Sequence, residues 1–226
     1  MNLGNNLPPV IAIDGPSASG KGTVAQGVAS KLGFHYLNSG ALYRAVAVAA
    51  MKAGADLEIE SVLSGITLNL KAKFSGVSIE LEGVDITETI QTEEVSAVAS
   101  RIATYPKVRN ALLERQRGFR RPPGLVADGR DMGTVVFPDA ALKIYLTASP
   151  EERAQRRHKQ LMGKGLGANM ATLLQDIRER DQRDSTRAAA PLKKGADAVL
   201  IDTTHISAAD AIAQVLALYQ QAPQAP

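Results

Sequence analysis

The chain has no cysteine and no tryptophan among its 226 residues, aromatic side chains make up only 4% of it, and no run of about 18 apolar residues occurs. Without cysteine there is neither a disulfide nor a thiolate metal site, which accords with a reducing cytoplasm. Without a long apolar run no transmembrane helix is expected, and Met1–Pro9 has neither the basic region nor the apolar core of a signal peptide. We therefore expect a soluble cytoplasmic protein with no membrane partner. A net charge of +3 and a pI near 9.2 would suit a nucleic-acid binder, but a base-stacking platform needs more rings than this. No nucleic-acid partner is expected, and arginines clustered in particular segments suit small phosphorylated ligands better. The length allows one sizeable α/β domain with room for a small insertion.

What is present is organised around Gly15, Pro16, Ser17, Ala18, Ser19, Gly20, Lys21, Gly22 and Thr23. The apolar run Val10–Ile13 precedes this stretch and an amphipathic segment, Val24–Leu32, follows it, so the order is strand, glycine-rich turn, helix. With four residues between Gly15 and Gly20 and Lys21 next, backbone N–H groups can converge on a phosphate at a helix start that adds partial positive charge. Lys21 then offers a mobile cation to the outer phosphates, and the Thr23 hydroxyl can serve Mg²⁺ or a phosphate. The hydroxyl comes one place later than in most such loops, because Gly22 follows the lysine. That Lys-Gly-Thr ending resembles nucleoside monophosphate kinases more than GTPases or motor ATPases.

Further along, Phe34–Leu37 reads as a second strand, and Ala41–Ala53 as a helix with Ser39 as its N-cap and Tyr43 and Arg44 in its first turns. Alternation at Ile66, Leu68 and Leu70 and at Val77, Ile79 and Leu81, with turn signals at Ser75-Gly76 and Glu82-Gly83, predicts a small antiparallel sheet. It interrupts a parallel series, so an inserted subdomain over about 56–100 is expected. Glu93–Arg121 reads as a helix pair broken at Pro106, and of its seven basic residues after Ser100 most are surface charge. Leu125–Asp128 has the form of a Walker B strand, whose carboxylate can hold Mg²⁺ directly or through water, and Gly129–Thr134 is the turn after it. Leu142–Leu146 and Ala198–Ile201 complete five strands of a three-layer parallel sheet. Glu151–Arg187 is helical in pattern apart from Gly163–Gly167; its seven arginines, 153, 156, 157, 178, 180, 183 and 187, suit a lid over polyphosphate. The tail, Gln220–Pro226, is expected to fray.

Four motifs in this order carry a resemblance over nearly the whole length. They are Ile13-Asp14-Gly15-Pro16-Ser17 through Thr23, Ser39-Gly40-Ala41-Leu42-Tyr43-Arg44, Asp128-Gly129-Arg130-Asp131-Met132-Gly133-Thr134, and Arg180-Asp181-x-Arg183-Asp184-x-x-Arg187. The chain resembles the bacterial cytidylate kinases of the P-loop nucleoside monophosphate kinase group. It departs from them at Asn38, where aspartate is usual, and at Ala18-Ser19, where Gly-Ala is commoner. The resemblance implies a single P-loop kinase domain over 1–226, with an acceptor-binding insertion at about 56–100 and a lid at about 151–187. It also implies a monomer that binds ATP with Mg²⁺ and uses CMP and dCMP. Gly15–Thr23 would hold ATP, and Thr23 and Asp128 the metal, the latter through water. Arg44 and Arg130 would take the CMP phosphate, Ser39, Ser100, Arg109 and Asp131 would face the base, and Arg180, Asp184 and Arg187 would meet the ribose or the transferring phosphoryl group. Lys21, Arg130, Arg180 and Arg187 would be catalytic.

The residue chemistry agrees. A carboxylate such as Asp131 accepts a hydrogen bond from the cytosine N4 amine, although a carboxylate after a glycine turn can equally be a cap. The acceptor phosphate, with a second pKa near 6, is already an ionised nucleophile at pH 7, so no general base is needed and the three histidines are left as surface or packing residues. Another P-loop small-metabolite kinase, such as a uridylate kinase, is the nearest alternative, since the phosphate loop is indifferent to the acceptor. A GTPase-like switch lacks an Asn-Lys-x-Asp guanine motif here.

Overall fold

The computed structural model describes residues 7–75, 78–163, 165 and 167–222. Gly76, Val77, Lys164, Leu166 and residues 223–226, on which some of the turn, lid-junction and tail expectations fall, lie outside the described residues. The chain divides into two compact units, 1–37 with 120–226, and 38–119.

The first unit is built on a five-stranded sheet in the order β2 (His35–Asn38), β6 (Leu125–Gly129), β1 (Val10–Asp14), β7 (Leu142–Thr147), β8 (Val199–Asp202). Strand β1 pairs in parallel with β6 and with β7, so its apolar residues are buried on both faces and show no alternation. Helix α1 (Lys21–Leu32) packs with α8 (Ala208–Gln221) on the sheet. Val24, Ala25 and Val28 meet Ala211 and Val215 over Ile11, Ile13, Val126 and Ile144, where the helical and strand periods converge on one core. Helices α6 (Pro150–Met162) and α7 (Met170–Thr186) pack on each other, and the expected tail residue Gln220 continues α8. No helix among the described residues is long and apolar enough to cross a membrane.

The second unit holds helices α2 (Ser39–Lys52), α3 (Glu60–Leu68), α4 (Glu93–Ile102) and α5 (Pro106–Arg117), with the antiparallel sheet β3 (Ala72–Ser75), β4 (Ser78–Leu81) and β5 (Val84–Asp85). Helix α2 packs on α4 and α3 on α5, and Arg115 of α5 donates to the carbonyls of Leu70 (2.7 Å) and Ala72 (3.0 Å), tying the helix to the start of the sheet. The Glu82-Gly83 turn is as expected, with both residues at positive φ between β4 and β5, the geometry a two-residue hairpin turn requires. Pro106 begins α5 at its first turn, where a missing N–H is harmless.

Two local expectations are corrected. Ile66 and Leu68 lie in α3, not in a strand. Ile59, Val62, Leu63 and Ile66 have the i, i+3, i+4, i+7 spacing of a helix, and Leu63 and Thr67 are its buried face, which outweighs three alternating positions. The cap of α2 is Asn38 rather than Ser39: its Oδ1 accepts from the Ala41 N–H at 3.0 Å, while Ser39 is already the first helical residue. The amide oxygen caps as a carboxylate oxygen would, so an asparagine at position 38 supports the helix start without a charge.

Candidate active site

The phosphate loop leaves the carboxyl end of β1, the central strand. A Cβ on Gly15 would lie 2.0 Å from the Leu146 carbonyl oxygen of β7, so only glycine lets the loop start this close to the sheet. Gly20, at φ 88, sets the left-handed turn that opens α1. Lys21 folds back across the loop and donates from Nζ to the Pro16 carbonyl at 2.9 Å. Burial lowers its pKa, and the positive charge of Arg130 adds to this, with Arg180 acting the same way and Asp128 and Asp184 opposing.

Arg130 and Asp131 follow β6 in the turn. Arg130 donates from Nε to Asp184 of α7 at 2.8 Å and from Nη1 to the Gly129 carbonyl at 3.1 Å. Burial disfavours the Arg130 cation, but Asp184, with Asp128 and Asp14, more than offsets it, and its pKa lies above the ordinary arginine value. Burial would likewise raise Asp184, yet Arg130, Arg180 and Arg187 hold its carboxyl below the usual range. Arg187 Nη2 lies 4.0 Å from Asp131 Oδ1, both side chains being buried. The turn and the end of α7 thus bring together Arg130, Asp131, Asp184 and Arg187, with Arg180 and Lys21 in electrostatic reach of Asp184.

A triphosphate fits this set, because the loop offers backbone amides at a helix start beside the cations Lys21, Arg130, Arg180 and Arg187. A divalent cation fits Asp128 and Thr23. Asp128 is buried at the end of β6 and accepts from the Tyr36 hydroxyl of β2, while Thr23 is exposed. A Cβ on residue 22 would stand 3.7 Å from both Asp128 Oδ2 and the Tyr36 hydroxyl, so Gly22 keeps the space before that carboxylate clear.

Several contributors were not singled out from sequence. Tyr36 read only as part of a short apolar strand. Arg153, grouped with the lid arginines, is buried in the first unit and donates to the carbonyls of Ala148 (3.0 Å) and Ser17 (3.1 Å) and, through both terminal nitrogens, to Asp181. Arg156 reaches the carbonyls of Ser19 (3.2 Å) and Thr203 (2.5 Å). Next to the loop a cavity of about 630 Å³ is lined by Ala18, Gly20, Thr23, Arg156, Arg157 and Thr203, among others, large enough for a nucleoside.

In the second unit, Arg109 donates to the Ala103 carbonyl at 3.1 Å and lies 5.8 Å from the centre of the Tyr43 ring, a cation–π contact. Ser39 and Ser100 are buried on α2 and α4, the helices that pack together, and Arg44 is half-buried one turn into α2.

With this geometry in place, known proteins offer a comparison. A family model described as cytidylate kinase matches residues 11–221. A protein of Nitrosomonas eutropha described as a cytidylate kinase is 55% identical over 215 residues, 95% of this chain and 96% of that protein. One of Burkholderia pseudomallei with the same description is 56% identical over 216 residues, 96% of this chain and 95% of its own length. A third, from Burkholderia vietnamiensis, is 56% identical over 212 residues and covers 94% of this chain and 93% of that protein.

Proposed function

The chain belongs to the cytidylate kinase family and is a nucleoside monophosphate kinase, and from that premise we propose that it transfers the γ-phosphoryl group of ATP to CMP, giving CDP and ADP, and accepts dCMP as well. The observation that carries the reading is that Lys21 of the phosphate loop, held on the Pro16 carbonyl at 2.9 Å, stands within electrostatic reach of Arg130 and Arg180, the turn and α7 arginines that surround Asp184. A phosphate loop whose lysine is buried beside two arginines is one that a polyphosphate's charge suits.

Lys21 would leave the Pro16 carbonyl for the outer phosphates, and the amides of Gly15–Thr23 would hold the β-phosphate. Mg²⁺ bound with the triphosphate would neutralise charge between its outer phosphates, held by Thr23 and, through water, Asp128. Arg130 would bind the acceptor phosphate, and Arg180, Asp184 and Arg187 would serve the ribose and the transferring group. Asp131 would accept from the cytosine N4 amine, where uracil presents an oxygen that a carboxylate repels. In the second unit, Arg44 is assigned to the acceptor phosphate and Ser39, Ser100 and Arg109 to the base, on the resemblance. On the same ground the segments of about 56–100 and 151–187 are assigned to acceptor binding and to a lid, and the enzyme is taken as a cytoplasmic monomer. Since the acceptor phosphate is largely ionised at pH 7, catalysis rests on positioning and charge neutralisation.

The test is ADP release measured with CMP, dCMP, UMP, AMP and GMP as acceptors. CMP and dCMP are expected to give kcat/KM at least tenfold above UMP, and turnover with AMP, GMP or UMP in preference to CMP would overturn the reading.

A further inference from the structure

Asp14 ends β1, is buried, and has no part in the chemistry above. Its Oδ1 accepts from the Met132 N–H at 2.8 Å and its Oδ2 from the Gly133 N–H at 2.9 Å. Those amides open the wide helical turn Met132–Val136, and the first amides of any helical turn have no partner inside it. Asp131 occupies the position from which a carboxylate would normally cap them, yet its side chain makes no capping hydrogen bond. Its backbone carbonyl accepts from Val135 (2.9 Å) and Val136 (3.2 Å), which fixes the turn behind it. A residue 117 positions earlier in the chain therefore does the capping.

We propose that Asp14 is a positioning residue for the acceptor side of the reaction: by capping Met132 and Gly133 in place of Asp131, it sets where Arg130 and Asp131 stand and keeps the Asp131 carboxylate out of its own helical turn. This rests on the reading of Arg130 and Asp131 as acceptor contacts. The arrangement also explains why an acidic residue ends the strand just before the phosphate loop. A neutral amide there would offer one acceptor and turn a donor against the second N–H. The charged and titratable groups facing Asp14 are Arg130 and Asp131 of the turn and Tyr145 of β7, its neighbour in register.

The experiment compares wild type with Asp14→Asn and Asp14→Ala in two measurements. Acceptor and ATP KM values are determined with whichever monophosphate the wild type uses best, and amide hydrogen exchange is followed at Met132 and Gly133. The acceptor KM is expected to rise about tenfold in Asp14→Asn and further in Asp14→Ala, with ATP KM within about twofold of wild type and faster exchange at both amides. If Asp14→Ala does not fold, the near-isosteric Asp14→Asn carries the test. Unchanged exchange, or ATP and acceptor KM rising together as a general disturbance of β1 and its loop would cause, overturns the proposal. A wild type that prefers another acceptor to CMP refutes the CMP reading and leaves this test in force, because neither measurement depends on the acceptor being CMP.

Discussion

Asp14 illustrates how a single residue can favour geometry over stability. Burial, with the nearby charge of Asp131, outweighs its two amide hydrogen bonds and pushes its carboxyl up to about 7. In the unfolded chain it titrates near its ordinary value of about 3.9, so the folded chain binds this proton more tightly. The stability contributed by Asp14 is therefore fully present below about pH 4 and is lost as pH rises through about 7. Urea unfolding at pH 5 and pH 8 checks this: wild type should lose about 3 kcal/mol more than Asp14→Asn between the two. Equal losses would show that Asp14 titrates normally in the folded chain. The phosphate loop carries similar local tension. Ala18 sits at φ 58, a conformation that disfavours any Cβ by about 1 kcal/mol, and the Ser19 hydroxyl is buried without a hydrogen bond.

Among the elements, α6 does more than border the loop. Arg153 carries Ser17 on one side and Asp181 of α7 on the other, so one buried guanidinium ties the loop to two helices. Arg153→Met should destabilise the protein by about 2 kcal/mol, a reduced figure because Asp181 is partly exposed, and should raise ATP KM through the freed Ser17 carbonyl. Chemical denaturation and ATP kinetics check both, and a variant within about 0.5 kcal/mol of wild type with unchanged ATP KM would contradict the tie. The two helices were legible from their period and from the glycines between them. The partner of Arg153 was not, because pairing between helices leaves no mark in spacing, whereas Glu152 and Arg156, paired at 2.9 Å, have the i,i+4 spacing that does. The same limit explains α3 and Asn38. Three alternating apolar residues imitate a strand when the helical series begins upstream, and two adjacent cap-forming residues differ only in which backbone turns helical first.

At the scale of the whole molecule, β1 lies between β6 and β7, strands more than a hundred residues further on, with the second unit's chain intervening. Strand identity was readable from the buried apolar runs, and the phosphate loop and the Gly129-Arg130-Asp131 turn were readable because each ends a strand. That these ends are neighbours follows from the parallel register, which places Asp14 beside Gly129. The Asp14 cap depends on that long-range pairing and so stayed hidden, although its residue stood in a recognised motif. The acceptor identity rests on the resemblance and on the chemistry of Asp131. It is tested most directly by incubating the enzyme with CMP and ATP labelled at the γ-phosphorus and locating the label. Label is expected in the β-phosphate of CDP at the rate of ADP formation. Label released as inorganic phosphate, with CMP unchanged, would contradict it.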